Sequence, residues 1–324
     1  MISFLSIRYA WFVSIFCLLL SLAACVVVER PGPQSEQRLR ETASLIDEVK
    51  TFGKTLGIEP TEALSRIATG DRALSMLWFW LQKAGTLAIS VSMDIRMAVG
   101  FDAAREHVPV EQVYRVDGYS VYYRQGNEYA DPRSAATPSF AAQGIVRRVN
   151  VILHEDLHGD ANFDLPWDVE EAVVTPLGSL AALEYFKHKN DAENLQRAQA
   201  AVNEGRQISR QLHGLVQEAE MIFRGAPVDE AKEKVLELLS RYPAYQSMFQ
   251  RQIAGQHALT VLEAKLSHDL AYFRYFDAIA TLAERPVALK ALIAELKKLP
   301  RHSTPDSADK FLQNLGAEFS AASD

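Results

Sequence analysis

Val151-Ile-Leu-His154-Glu155-Asp156-Leu157-His158 is the stretch on which the reading of this chain turns. An apolar run leads into a His-Glu-x-x-His pattern, with the two imidazoles at i and i+4. On a helix those positions share a face one turn apart, so both rings can reach one metal ion. Glu155 follows the first His and can serve as general base toward a water on that metal. Zinc brings the pKa of such a water to about 7, so the chemistry runs at neutral pH. The pattern points to one Zn2+ held by His154, His158 and a third protein ligand, with one position left open.

The third ligand is expected downstream. Asn162-Phe-Asp-Leu-Pro166 reads as a turn, and Asp168-Val-Glu170-Glu171-Ala-Val-Val-Thr-Pro-Leu-Gly178 reads as the helix after it. A helix returning antiparallel can aim a glutamate at the metal from the opposite side. Glu171 stands 13 residues after His158, and Glu170 is its immediate rival. Acidic residues also suit a helix N-terminus for electrostatic reasons alone.

From Phe140 onward the spacing of apolar residues predicts helices only, over about 140–160, 168–189, 191–223, 228–241, 243–285, 287–297 and 307–319. Gly225-Ala-Pro227, Tyr242-Pro243, Arg285-Pro286 and Leu299-Pro300 supply the breaks. Upstream, Ser35–Gly57 and Thr61–Lys83 read as helices, the second ending in the all-round apolar Met76-Leu-Trp-Phe-Trp-Leu81. Trp78 and Trp80 are assigned to the core. Thr86–Asp94 alternates like a half-buried strand, and Phe101–His107 fits a short helix. Asp117-Gly118 lies between two β-rich runs and predicts a hairpin, with a loop over Gln125–Ser139. The expected fold is α+β and predominantly helical. Residues 35–324 form one domain, an α/β part over 35–139 and a helical part over 140–324.

The 324 residues are 48% hydrophobic and 23% charged, which excludes collagen-like, disordered and multi-span membrane classes. Net charge is −7 and no basic block is present, so no nucleic-acid partner is expected. There is no Gly-rich phosphate loop, no Gly-x-Ser-x-Gly and no Cys-x-x-Cys.

The N-terminus carries a separate message. Met1–Ala24 has a single charge, Arg8, then the apolar run Trp11–Leu22, shorter than the roughly 20 residues of a transmembrane helix. It ends in Leu22-Ala23-Ala24-Cys25, which resembles a bacterial lipobox. That resemblance implies a lipoprotein signal peptide over 1–24, acylation of Cys25, and a short tether over 25–34 broken by Pro31 and Pro33. Val26 is not an acidic retention residue. The expected location is therefore the outer membrane, facing the periplasm, with the lipid bilayer as a partner through Cys25.

Taken together, these segments resemble the bacterial zinc aminopeptidase lipoproteins of the gluzincin type, whose HExxH is followed by a segment close to Asn-Glu-Ser-x-Ala-Thr-Phe-Val-x-x-Gly. On that resemblance Glu171 falls on the ligand glutamate and Glu170 replaces the Asn. Thr175 and Gly178 fall near the small residues that follow. Leu45–Gly57, Asp117–Arg124, Gln256-His257-Ala258 and Leu266-Ser-His268-Asp-Leu270 resemble further family segments. The departures are Asp156 inside the HExxH, Gly159 after it, and Ser267 where a late-helix Tyr is expected.

The resemblance implies a gluzincin-like active-site helix and a peptide substrate. Such an enzyme also needs a donor for the oxyanion, for which Tyr119, Tyr122, Tyr123, His257 and His268 are candidates. An aminopeptidase needs carboxylates for the substrate amine, for which Glu170 and Asp156 are candidates. Asp156 lies about 100° round the helix from each neighbouring residue, away from the two His. The alternative reading is a non-catalytic envelope lipoprotein that serves as a binding scaffold and keeps a relict HExxH.

Overall fold

The computed structural model describes residues 33–70, 76–87, 117–126, 130, 132, 134–160, 163–253, 255–285 and 288–321. Its elements, in chain order, begin with α1 (Pro33–Thr55), β1 (Arg66–Ile67), β2 (Met76–Lys83), β3 (Tyr119–Gly126) and β4 (Ala135–Ala136). The helices then run α2 (Pro138–Ala141), α3 (Ile145–Gly159), α4 (Trp167–His188), α5 (Ala192–Gly225) and α6 (Val228–Leu238). A 3-10 turn at Leu239–Arg241 leads to α7 (Pro243–Gln252), α8 (Ala258–Phe273), α9 (Phe276–Ala283), α10 (Leu289–Leu296) and α11 (Pro305–Ala321). The described protein is thus predominantly helical with a small β portion, as the sequence indicates.

The expected helix over Thr61–Lys83 is not formed. Residues 61–70 turn, with the two-residue β1, and Met76–Lys83 is a strand. A run that is apolar all round fits either element. Aromatic residues favour a pleated surface, and here a partner strand decides. β2 pairs antiparallel with β3, from Met76↔Gly126 to Lys83↔Tyr119. Asp117-Gly118 does form a turn, with Gly118 at φ +78°. The described partner of β3 is β2, while residues 112–116 lie outside the described set. So do the expected helix over 101–107, most of the expected strand over 86–94, and everything N-terminal to 33, including Cys25. The expected loop over 125–139 contains the end of β3, β4 and the start of α2.

The long helix expected over 243–285 is three helices. Gly255 sits at φ +84°, a conformation open to glycine, and ends the first of them. Arg274 and Tyr275 form the second break. Likewise 140–160 is interrupted at 142–144 before α3 begins.

Two apolar clusters hold the structure. One joins α1, α3, α4 and the first half of α5 to α9, α10 and α11. The other joins β2 and β3 to the second half of α5 and to α6, α7 and α8. α1 packs with the later helices α3 and α4, and the β-ribbon packs with α8. No helix of the described residues is long and apolar enough to cross a membrane.

Candidate metal centre

α3 is fixed in the first cluster by Val149, Ile152, Leu153 and Leu157, all fully buried. Its His residues point away from that stripe. Beyond its C-terminus, buried Phe163 anchors the reversal, its N–H donating to Asp160 O at 2.8 Å. α4 then returns antiparallel. His158 meets Glu170 and Glu171 near the start of α4, while Asn150, two turns back on α3, donates to Ser179 Oγ at 2.9 Å. The two helices approach closely where Gly178 faces His154. A Cβ on Gly178 would lie 3.0 Å from His154 Cβ.

His154, His158 and Glu171 converge, with candidate ligand atoms all within 4.8 Å of one another. The two Nε2 atoms are 3.1 Å apart, and Glu171 Oε2 lies 3.2 Å from His158 Nε2 and 3.6 Å from His154 Nε2. Two ligands at about 2.0–2.1 Å from a tetrahedral zinc sit about 3.3 Å from each other. The spacing fits that edge length, and a set of two imidazoles and one carboxylate matches three-ligand catalytic zinc sites. Glu170 stands outside that cluster. Its Oε1 is 2.6 Å from His158 Nδ1, where a carboxylate fixes the tautomer and leaves Nε2 to the metal.

Electrostatics follow the same division. Burial lowers the His154 pKa to about 3, helped by His158. Burial opposes charge on His158 as well, but the Glu171 and Glu170 carboxylates overcome it and hold that imidazole well above its usual range. Burial raises the Glu171 pKa, but the charge and hydrogen bond of His158, with His154 and Arg124, together pull it down to about 2. These shifts favour a neutral His154, a charged His158 and an ionised Glu171.

These residues open onto a cavity of about 770 Å³, whose wall also includes Glu155, Glu170, Trp78, Trp80, Arg124, Arg147, Trp167, His268 and Tyr272. Glu155 is thus beside the expected ligands, as its place in the motif requires. Tyr272 is the residue that the sequence reading missed. It lines the cavity, and burial together with the Glu171 carboxylate pushes its pKa well above the usual phenol value, so it keeps its proton. It stands on α8 four residues after His268, where an i, i+4 search from that histidine would have found it.

His268 lies on the cavity wall, 4% exposed, with Nδ1 2.9 Å from Asp269 Oδ1. Burial lowers its pKa to about 4, against the pull of Asp269. Asp269 is also held by Lys265 and by the Tyr245 hydroxyl at 2.7 Å. Tyr119 is 43% exposed and is not part of the cavity wall, so the structure does not bring it to the site. Tyr122 is buried in the stack with Trp80, Tyr123 engages Gln256 through its backbone, and His257 caps α8. Trp78 and Trp167, half-buried, form cavity wall as well as packing.

Asp156 faces the other way. It is 1% exposed and accepts from the Thr61 backbone N–H, the Thr61 hydroxyl and Lys50 Nζ. Asp160, one turn on, is paired with Lys297. Gly159 lies between them, and a Cβ there would fall 2.1 Å from Thr61 Cγ2. The two departures within and after the HExxH are thus both packing residues. They seat the back of α3 on α1 and the segment around Thr61. No family model, curated protein or solved structure matches the chain.

Proposed function

We propose that this protein is a zinc metallopeptidase, tethered to the outer membrane through acylated Cys25 and facing the periplasm. The observation that carries the reading is the convergence of His154, His158 and Glu171 at tetrahedral spacing on a cavity that also holds Glu155. A zinc ion in that place supplies a Lewis acid and acidifies a water. Glu155 takes the proton of the attacking water and passes it to the leaving amine. Tyr272 keeps its proton and offers a hydroxyl to the oxyanion as charge develops. Glu170 holds the His158 ring in register. The resemblance to zinc aminopeptidase lipoproteins supports peptide as substrate.

The scaffold reading drew on Asp156 and Gly159. Both have packing roles at the back of α3, which account for them without loss of activity.

Zinc content per chain, followed by peptide hydrolysis, tests the proposal. One zinc in the parent and none in His158→Ala is expected, with Glu155→Gln keeping zinc and losing hydrolysis. No zinc in a folded, metal-loaded parent, or full activity in Glu155→Gln, would overturn it.

A further inference from the structure

Arg124 owes its place to strand alternation. Ser120, Tyr122 and Arg124 share one face of β3, and that face meets α8. The Ser120 hydroxyl donates to Thr260 O at 2.9 Å, and Tyr122 stacks on Trp80, which sits edge-on to His268. Arg124 is the next residue along that face, paired across the ribbon with Trp78, and both line the cavity. Arg147 reaches the same cavity from α3, two turns before His154.

The carboxylates of the wall already have tasks. Among the described residues they are Glu155, Glu170, Glu171, Glu204 and Asp269. Glu170 is bonded to His158, Glu171 belongs to the ligand cluster, and Asp269 is held by Lys265, His268 and Tyr245. Glu204 pairs with Arg251 at 3.0 Å. Glu155 is the base. Asp156, the other candidate for a substrate ammonium, is on the far side of α3. Arg124 and Arg147 add two cations to the same wall. Each is close enough to His154 to disfavour its protonation, and Arg124 also acts on Glu171 and Tyr272.

We propose that Arg124, supported by Arg147, receives a carboxylate of the peptide substrate, so that the cavity reads an anionic group and not a free amine. This rests on the peptidase reading of the same cavity. It needs only the charge and place of the two side chains. A guanidinium has five N–H donors and can serve an internal partner and a carboxylate together.

The test is binding, read by titration calorimetry on the zinc-loaded Glu155→Gln protein. The probes are acetyl-Ala-Phe-Phe, its C-terminal amide, and the amides of acetyl-Glu-Phe-Phe and acetyl-Gln-Phe-Phe. The free acid, or the Glu peptide over the Gln peptide, should bind about ten-fold tighter than its neutral match. The first result places the carboxylate at the C-terminus, the second on a side chain. Adding Arg124→Gln should shrink the preference to within about two-fold with zinc still at one per chain, which also shows that the variant is folded. Arg147→Gln should reduce it by less.

Equal binding of acid and amide in both pairs, or no binding of any probe, overturns the proposal. A preference that survives both arginine substitutions assigns the carboxylate to the metal and overturns it too. Hydrolysis of the same acetylated peptides by the parent decides the peptidase reading separately. Cleavage without an acid preference sinks the carboxylate site alone, and preference without cleavage sinks the peptidase reading alone.

Discussion

Asp156 accepts two hydrogen bonds from Thr61, from its backbone N–H at 2.9 Å and from its hydroxyl at 2.8 Å, on the face of α3 turned away from the metal cluster. Lys50 Nζ completes the set. The helix that carries the expected ligands is therefore held from behind by a buried carboxylate one residue from the base. We expect Asp156→Ala to cost about 3 kcal/mol, because it strands a mostly buried Lys50 charge and orphans the Thr61 N–H. Urea unfolding measures the loss. Zinc should remain at one per folded chain. Unchanged stability would remove the anchoring role, and lost zinc in a folded sample would place Asp156 at the metal.

Gly159 makes the same contact from the backbone side. Gly159→Ala should destabilise by about 1–3 kcal/mol, since its Cβ would fall on Thr61 Cγ2. Thr61→Ser removes that methyl and keeps the hydroxyl for Asp156. A double-mutant cycle should then show Gly159→Ala to be far less costly in the Thr61→Ser background. Additive costs would mean that Gly159 is needed for another reason.

Glu170 tests the orienting carboxylate. Glu170→Gln should weaken zinc about 10–100-fold while leaving one site per chain. Competition against a chromogenic chelator reads the affinity. An affinity within about two-fold of the parent would show that the 2.6 Å contact with His158 does not tune the site.

Zinc binding should release protons with a definite sign. His154 is already neutral with a pKa of about 3, and Glu171 is already ionised down to about 2. His158, held well above its usual value by Glu171 and Glu170 against its burial, is the group that must deprotonate. Below the His158 pKa, apparent affinity should rise about ten-fold per pH unit and flatten above it, with about one proton released per zinc. In the metal-free protein the sign reverses. The raised pKa of His158 stabilises the fold fully below the unfolded histidine value, and that contribution is lost as pH climbs through the folded pKa. Calorimetry in buffers of different ionisation enthalpy counts the proton. A count near zero at pH 6 would contradict the charge assignment.

Local spacing was enough to place His154, Glu155 and His158 on one helix, and a turn followed by an acidic helix start was enough to bring Glu170 and Glu171 near them. These are properties of neighbouring residues, and a 3.6-residue period carries them directly. The predominance of helix after Phe140 was equally legible. What sequence left undecided needed partners far along the chain. The run over 76–81 is apolar on every side and satisfies a helix as well as a strand until β3 pairs with it. Whether Glu170 or Glu171 joins the His154–His158 cluster is settled by how α4 docks on α3, with Gly178 against His154. Tyr272 joins the cavity wall only because α8 packs against α4. Asp156 and Gly159 looked like departures from a motif until Thr61, some 95 residues earlier, came to rest on them. Local sequence determines which groups ride together on one element. The packing of α1, α4, α8 and the β-ribbon around α3 decides which of those groups converge, which are buried against protein and which line the cavity.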